Sequence, residues 1–92
     1  MQGMRTNIIG EVLGVEFEIH HYPVDGYQLT LRHAETGDEL FSMRYIDYTL
    51  WESVNTACSR VWADEIEANR DYELPSRIAA GLGIEEDYGE ED

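Results

Sequence analysis

Residues 15–45 read VEFEIHHYPVDGYQLTLRHAETGDELFSMRY. Three runs in this stretch alternate with period two, the mark of strands with one buried face. Val15, Phe17, Ile19 and His21 share a face in the first run. Tyr27, Leu29, Leu31 and His33 do so in the second, and Phe41, Met43 and Tyr45 in the third. The turn signals PVDG (23–26) and AETGD (34–38) separate the runs. With each glycine in the left-handed position closing a type I turn, both loops hold three residues. His21 then opposes Leu29 and Ile19 opposes Leu31, while Leu31 opposes Phe41, Leu29 opposes Met43 and Tyr27 opposes Tyr45. Apolar residues stay on one side throughout, which a one-residue slip would destroy.

Upstream, TNIIGEV (6–12) and a tight Leu13-Gly14 connection predict one more strand. Pairing Val12 with Val15 places Ile8, Gly10 and Val12 on the buried face, with Gly10 across from Phe17, whose ring is expected to cover the gap. Downstream the period changes. Thr49 and Glu52 form the S/T-x-x-E box that starts a helix. Its apolar stripe runs through Leu50, Val54, Ala57 or Cys58, Val61 and Ala68, with Trp51 and Trp62 beside it. A helix over roughly 49–70 would be about 30 Å long and would project beyond the sheet. Pro75 suits the first turn of a short helix ending at Gly81 or Gly83. The predicted fold is α+β: a four-stranded antiparallel β-meander, one long α-helix packed on one face, and a short C-terminal helix. Residues 1–84 form one domain and 85–92 an acidic tail. Phe17, Leu29, Leu31, Met43, Val54 and Val61 are the expected core.

The 92-residue length suits a single domain, and 42% apolar residues with ten aromatics are enough for a core. No apolar run approaches the ~20 residues of a membrane span. The N-terminal MQGMRTNII lacks the apolar stretch of a signal peptide, so a cytoplasmic protein is expected. A lone Cys58 fits a reducing compartment. Twenty acids against six bases, all arginine, leave a net charge of −14. The surplus is −4 over residues 1–46 and −10 over residues 47–92. Such a field repels nucleic acid and anionic membrane and attracts basic protein surfaces.

Sites for chemistry are scarce. His20 and His21 are adjacent on a strand and point to opposite faces, so they do not share a metal. His33 shares a face with His21 but lies on a different rung. Cys58 falls on the apolar stripe and reads as a small hydrophobe. There is no phosphate loop, nucleophile elbow or Cys-x-x-Cys pair. Neither enzymatic activity nor any cofactor or metal is expected. The outer sheet face, with Glu18 near Arg32, Thr30 near Ser42 and Gln28 near Arg44, compensates its own charge and lacks the stacking aromatics of a nucleic-acid platform.

The acids after the helix midpoint are different. Asp64, Glu65, Glu67, Asp71 and Glu73 gather where a helix C-terminus is expected, against the negative end of its dipole. Glu65 falls on the arc facing the core. Glu85, Glu86, Asp87, Glu90, Glu91 and Asp92 extend the cluster through the tail. In size and charge, ADEIEANRDYE (63–73) and EEDYGEED (85–92) make the chain resemble the small acidic inhibitors by which phages disarm host defence, the anti-CRISPR and anti-restriction proteins that mimic DNA. No shared motif carries the likeness. It implies a non-enzymatic inhibitor that occupies the groove of a basic nucleic-acid-binding protein with these eleven carboxylates. The competing reading is an interaction or assembly module, dimeric through Trp51, Trp62 and Tyr72, whose acidity serves solubility or a salt-loving host.

Overall fold

The computed structural model describes residues 7–85. Strands β1 (Asn7–Val12), β2 (Val15–Tyr22), β3 (Gly26–His33) and β4 (Glu39–Tyr45) pair antiparallel in chain order. Helices α1 (Leu50–Val61), α2 (Ala63–Asn69) and α3 (Leu74–Gly81) follow. The predicted α+β meander with helices on one face is what forms.

Val12 opposes Val15 and Gly10 opposes Phe17, as the alternation requires. Leu31 opposes Phe41, Leu29 opposes Met43 and Tyr27 opposes Tyr45, again as expected. The first hairpin differs. His21 opposes Tyr27, Ile19 opposes Leu29 and Phe17 opposes Leu31, a slip of two residues from the expected register. An even slip keeps every side chain on its face, so hydrophobic alternation does not discriminate the two pairings. Gly26 decides it. It pairs with Tyr22 outside the Pro23–Asp25 loop and takes φ +86°. A Cβ there would stand 2.0 Å from the Tyr45 carbonyl oxygen, so only glycine lets the β4 end approach. The second loop also differs: His33 N–H donates to Asp38 O, leaving residues 34–37 as the loop, and the register shifts between Leu31 and Arg32.

Phe17, Ile19, Leu29 and Leu31 are fully buried, and each contributes about 1.5–3 kcal/mol through removal from water. They meet Trp51, Val54, Ala57 and Cys58 of α1 and Ile78 and Ala79 of α3. Two expected core members change status. Met43 is 47% exposed, on the edge strand β4. Val61 is only partly buried. The gap over Gly10 is filled by Leu82, whose Cδ2 would lie 2.9 Å from an added Cβ, and not by the Phe17 ring.

Thr49 caps α1 with the full box. Its Oγ1 accepts from Glu52 N at 3.1 Å, and Glu52 Oε1 accepts from Thr49 N at 2.9 Å. The predicted continuous helix over 49–70 is interrupted. Trp62 adopts φ −105°, ψ 29° between α1 and α2. Its ring stacks on Phe17 with centroids 6.1 Å apart and planes 12° apart. The interruption turns Ile66 into the core and leaves Glu65 and Ala68 exposed, contrary to the stripe expected for an unbroken helix. Burying Ile66 is favourable, whereas burying an unpaired carboxylate costs several kcal/mol. α3 has Pro75 in its first turn, as predicted, and ends at Gly81, one of the two expected stops, with Leu82 as its C-cap and left-handed Gly83 after it.

Candidate functional site

The acids of 64–73 lie on α2 and on the turn into α3. α2 is held to the domain by Ile66, its one buried residue, so Asp64, Glu65 and Glu67 stand in solvent. The helix ends where Arg70 takes a left-handed conformation (φ 52°, ψ 36°) and Asp71 N–H donates to Ile66 O at 3.1 Å. This is the bonding of a Schellman-type stop, with arginine where glycine is usual. The chain then passes exposed Glu73 into α3, whose Arg77 N–H donates to Glu73 O at 3.1 Å.

Two parts of the sequence-based reading of this cluster are corrected. Because the helix restarts at Ala63, Asp64 and Glu65 occupy the first turn of α2. There a carboxylate meets the positive end of the dipole and stabilises the helix by a few tenths of a kcal/mol. These two acids therefore have a local structural role. Asp71 is not uncompensated either. Arg77 donates to both its carboxylate oxygens, Nη1 to Oδ1 at 3.1 Å and Nη2 to Oδ2. The Arg77 guanidinium, with help from the Glu73 backbone N–H, holds Asp71 below the usual aspartate range.

Asp64, Glu65, Glu67 and Glu73 remain exposed and make no ion pair among the described residues. Glu85 is exposed at the end of the described chain. Glu86, Asp87, Glu90, Glu91 and Asp92 lie outside the described residues, and they hold five of the ten surplus charges of residues 47–92.

Two acids on the sheet side have cationic partners. Glu18 accepts from Arg32 Nη1 at 2.7 Å and lies 2.8 Å from His20 Nε2. Arg32 first, and His20 second, draw Glu18 below the ordinary glutamate range. Asp25 pairs with Arg44 at 3.8 Å, and Arg44 also donates from Nε to Gln28 Oε1 at 3.4 Å. Gln28 in turn donates to Ser42 Oγ at 3.0 Å. The expected contacts of the outer face are present despite the altered register. Glu18 and Asp25 thus have arginine partners, while Glu11, Glu16 and Glu39 of the strands, like Asp64, Glu65, Glu67 and Glu73, are exposed and make no ion pair among the described residues.

The groups considered for chemistry are accounted for by structure. His20 turns to Glu18 on the outer face, and His21 stacks on Tyr27 with ring centroids 4.5 Å apart. No three potential metal ligands converge among the described residues. Cys58 is buried, and desolvation pushes its thiol up to about 12, far from a reactive thiolate at neutral pH. A shallow depression of about 320 Å³ is lined by Asp47, Tyr48, Glu52, Asn55 and Thr56. Its Glu52 carboxylate is already used by the α1 cap. Trp51 and Trp62, expected as a dimer edge with Tyr72, are buried at 2% and 8% exposure. Of the three, only Tyr72 reaches the surface. No helix of the described residues is long and apolar enough to cross a membrane.

No protein-family model matches the chain, and comparison with curated proteins and with solved structures finds no match.

Proposed function

We propose that the chain is a non-enzymatic binding protein that presents its carboxylate-rich end to a basic, nucleic-acid-binding partner and blocks that partner's groove, in the manner of an anti-defence DNA mimic. The observation that carries this reading is the local density of open carboxylates. Asp64, Glu65, Glu67 and Glu73 fall within ten residues and are exposed with no ion pair among the described residues, whereas the unpaired strand acids Glu11, Glu16 and Glu39 are spread over three strands. Solubility alone does not require open charge to be concentrated in one short segment. The open carboxylates are borne by a short helix and the turn after it, and in the chain they lead towards the acidic stretch 85–92. A helical element carrying spaced negative charge is suited to a cationic groove, and long-range attraction raises the association rate.

The test is capture from a lysate of the source organism with three forms of the chain. Wild type should retain a basic nucleic-acid-binding protein. Asp64→Asn, Glu65→Gln, Glu67→Gln and Glu73→Gln together should lose it, with the fold intact. Deletion of 85–92 should weaken capture less, since the carboxylates of α2 and the following turn remain. Asp71 is left unchanged because its loss would also release Arg77. Equal capture by wild type and the fourfold variant would remove the basis for the reading.

A further inference from the structure

α2 is joined to the rest of the domain at few points. It is seven residues long, Ile66 is its one buried residue, and no side chain caps its start. α1 before it has the full capping box and five buried residues, and α3 after it buries Pro75, Ile78 and Ala79. Isolated helices shorter than about 12–15 residues are marginal in water, so α2 does not stand by itself. Its stop also costs stability, because Arg70 holds the left-handed conformation that glycine adopts freely. α2 therefore depends on how its two ends are tied.

At the N-terminal end the tie is the chain itself through Trp62, whose ring stacks on Phe17. At the C-terminal end the ties converge on Asp71. Its N–H donates to Ile66 O at 3.1 Å, which closes α2. Its carbonyl accepts from Leu74 N–H at 3.4 Å, at the first residue of α3. Its carboxylate accepts from both Nη groups of Arg77, one turn into α3. Arg77 N–H in turn donates to Glu73 O at 3.1 Å. An arginine fork fixes the orientation of a carboxylate as well as its distance. Asp64, Glu65, Glu67 and Glu73 make no ion pair among the described residues, so none of them ties the segment to the body by charge.

We infer that the Asp71–Arg77 pair is a latch: it holds α2 and the following turn against α3, and when it parts, residues 63–73 open as a unit while the sheet, α1 and α3 stay folded. The latch sets whether the acids of this segment stand in a fixed array or on a loose chain. Loss of Arg77 makes the segment more negative yet less ordered, so its charge and its order are separable. The inference concerns the free chain and does not rest on the acidic-interface reading.

The experiment is native-state hydrogen exchange of the full chain, read by NMR at single amides, for wild type, Asp71→Asn, Arg77→Gln and the double variant. The reporters are the amides of Ile66 and Asp71, which donate to Trp62 O and Ile66 O. Ala57 and Cys58, buried in α1, report global unfolding. In wild type, after correction for intrinsic rates, the reporters should exchange at least about tenfold faster than Ala57 and Cys58 and with a weaker denaturant dependence, as sub-global opening does. Either single substitution should speed the reporters about two- to fivefold, the range for an exposed pair, and leave Ala57 and Cys58 unchanged. The double variant should lose no more than either single one, because the same contact is removed in all three. The gap between wild type and Arg77→Gln should narrow in about 1 M salt. Reporters that exchange only with Ala57 and Cys58 overturn the inference. So do reporters unmoved by the substitutions, losses that add in the double variant, or a loss shared equally by Ala57 and Cys58.

Discussion

Gly26 and Gly37 form a matched pair for testing how the meander is held. Both have positive φ, +86° and +80°. Alanine at either pays the left-handed penalty, about 1–2 kcal/mol. Their surroundings differ. An added Cβ at Gly37 meets nothing within 4 Å, so Gly37→Ala should cost that penalty and little more. At Gly26 the new Cβ would lie 2.0 Å from Tyr45 O and 2.9 Å from Ile46 Cα. Ordinary contact begins near 3.4 Å, so the β3 and β4 backbones would have to part by roughly 1.4 Å at that point. Both groups that must move are backbone, and forced overpacking adds about 1–3 kcal/mol. Gly26→Ala is therefore expected to cost about 2–5 kcal/mol against about 1–2 for Gly37→Ala. Urea titration of both variants, with m-values compared to confirm a common unfolding reaction, measures the difference. Equal losses would refute the close approach of Gly26 to the end of β4, and with it the reason given for the first hairpin's register.

Other expectations follow from burial and pairing. Leu29 and Met43 oppose each other, yet Leu29→Ala should cost about 2–5 kcal/mol as a cavity-forming change, and Met43→Ala only about 1, since Met43 is 47% exposed. Equal costs would mean that Met43 is buried like Leu29. Glu18 is held below its ordinary value of 4.5, so its ionised form stabilises the folded chain. That contribution is fully present above pH 4.5 and is lost as pH falls through the lowered value. The stability gap between wild type and Glu18→Gln, measured by denaturation from about pH 6 downwards, should narrow as pH falls. Cys58, buried with its thiol raised to about 12, should resist iodoacetamide at neutral pH until denaturant is added. Rapid labelling of the native chain would contradict that burial.

Much of the architecture is legible in side-chain alternation. Leu29, Leu31, Phe41 and Tyr45 keep one face over two strands, and the Thr49–Glu52 box marks the start of α1 to the residue. What alternation cannot carry is an even slip, because Ile19 faces inward whether it opposes Leu29 or Leu31. That choice depends on Gly26 meeting Tyr45, a contact between residues far apart in sequence. The interruption at Trp62 carries no glycine or proline to announce it. Cys58, Trp62 and Ile66 form an i+4 line that runs on through Trp62, and the stripe through Val61 and Ala68 passes over Ile66. Missing the interruption placed Asp64 and Glu65 at a helix end when they belong to a helix beginning. Residues 63–73 were identifiable as the acid-rich segment from composition alone. Which of its carboxylates stay open was not, since the Asp71–Arg77 pairing depends on the turn between α2 and α3.

Mimicry of nucleic acid is tested most directly by competition. With the captured partner bound to immobilised chain at physiological salt, a DNA duplex is titrated in and the released partner is measured. Duplex should release the partner stoichiometrically, because carboxylates and phosphates would occupy one groove, and the release should be faster at higher salt. A partner that remains bound at saturating duplex, while itself binding that duplex, would show that the acidic end sits elsewhere and does not imitate DNA.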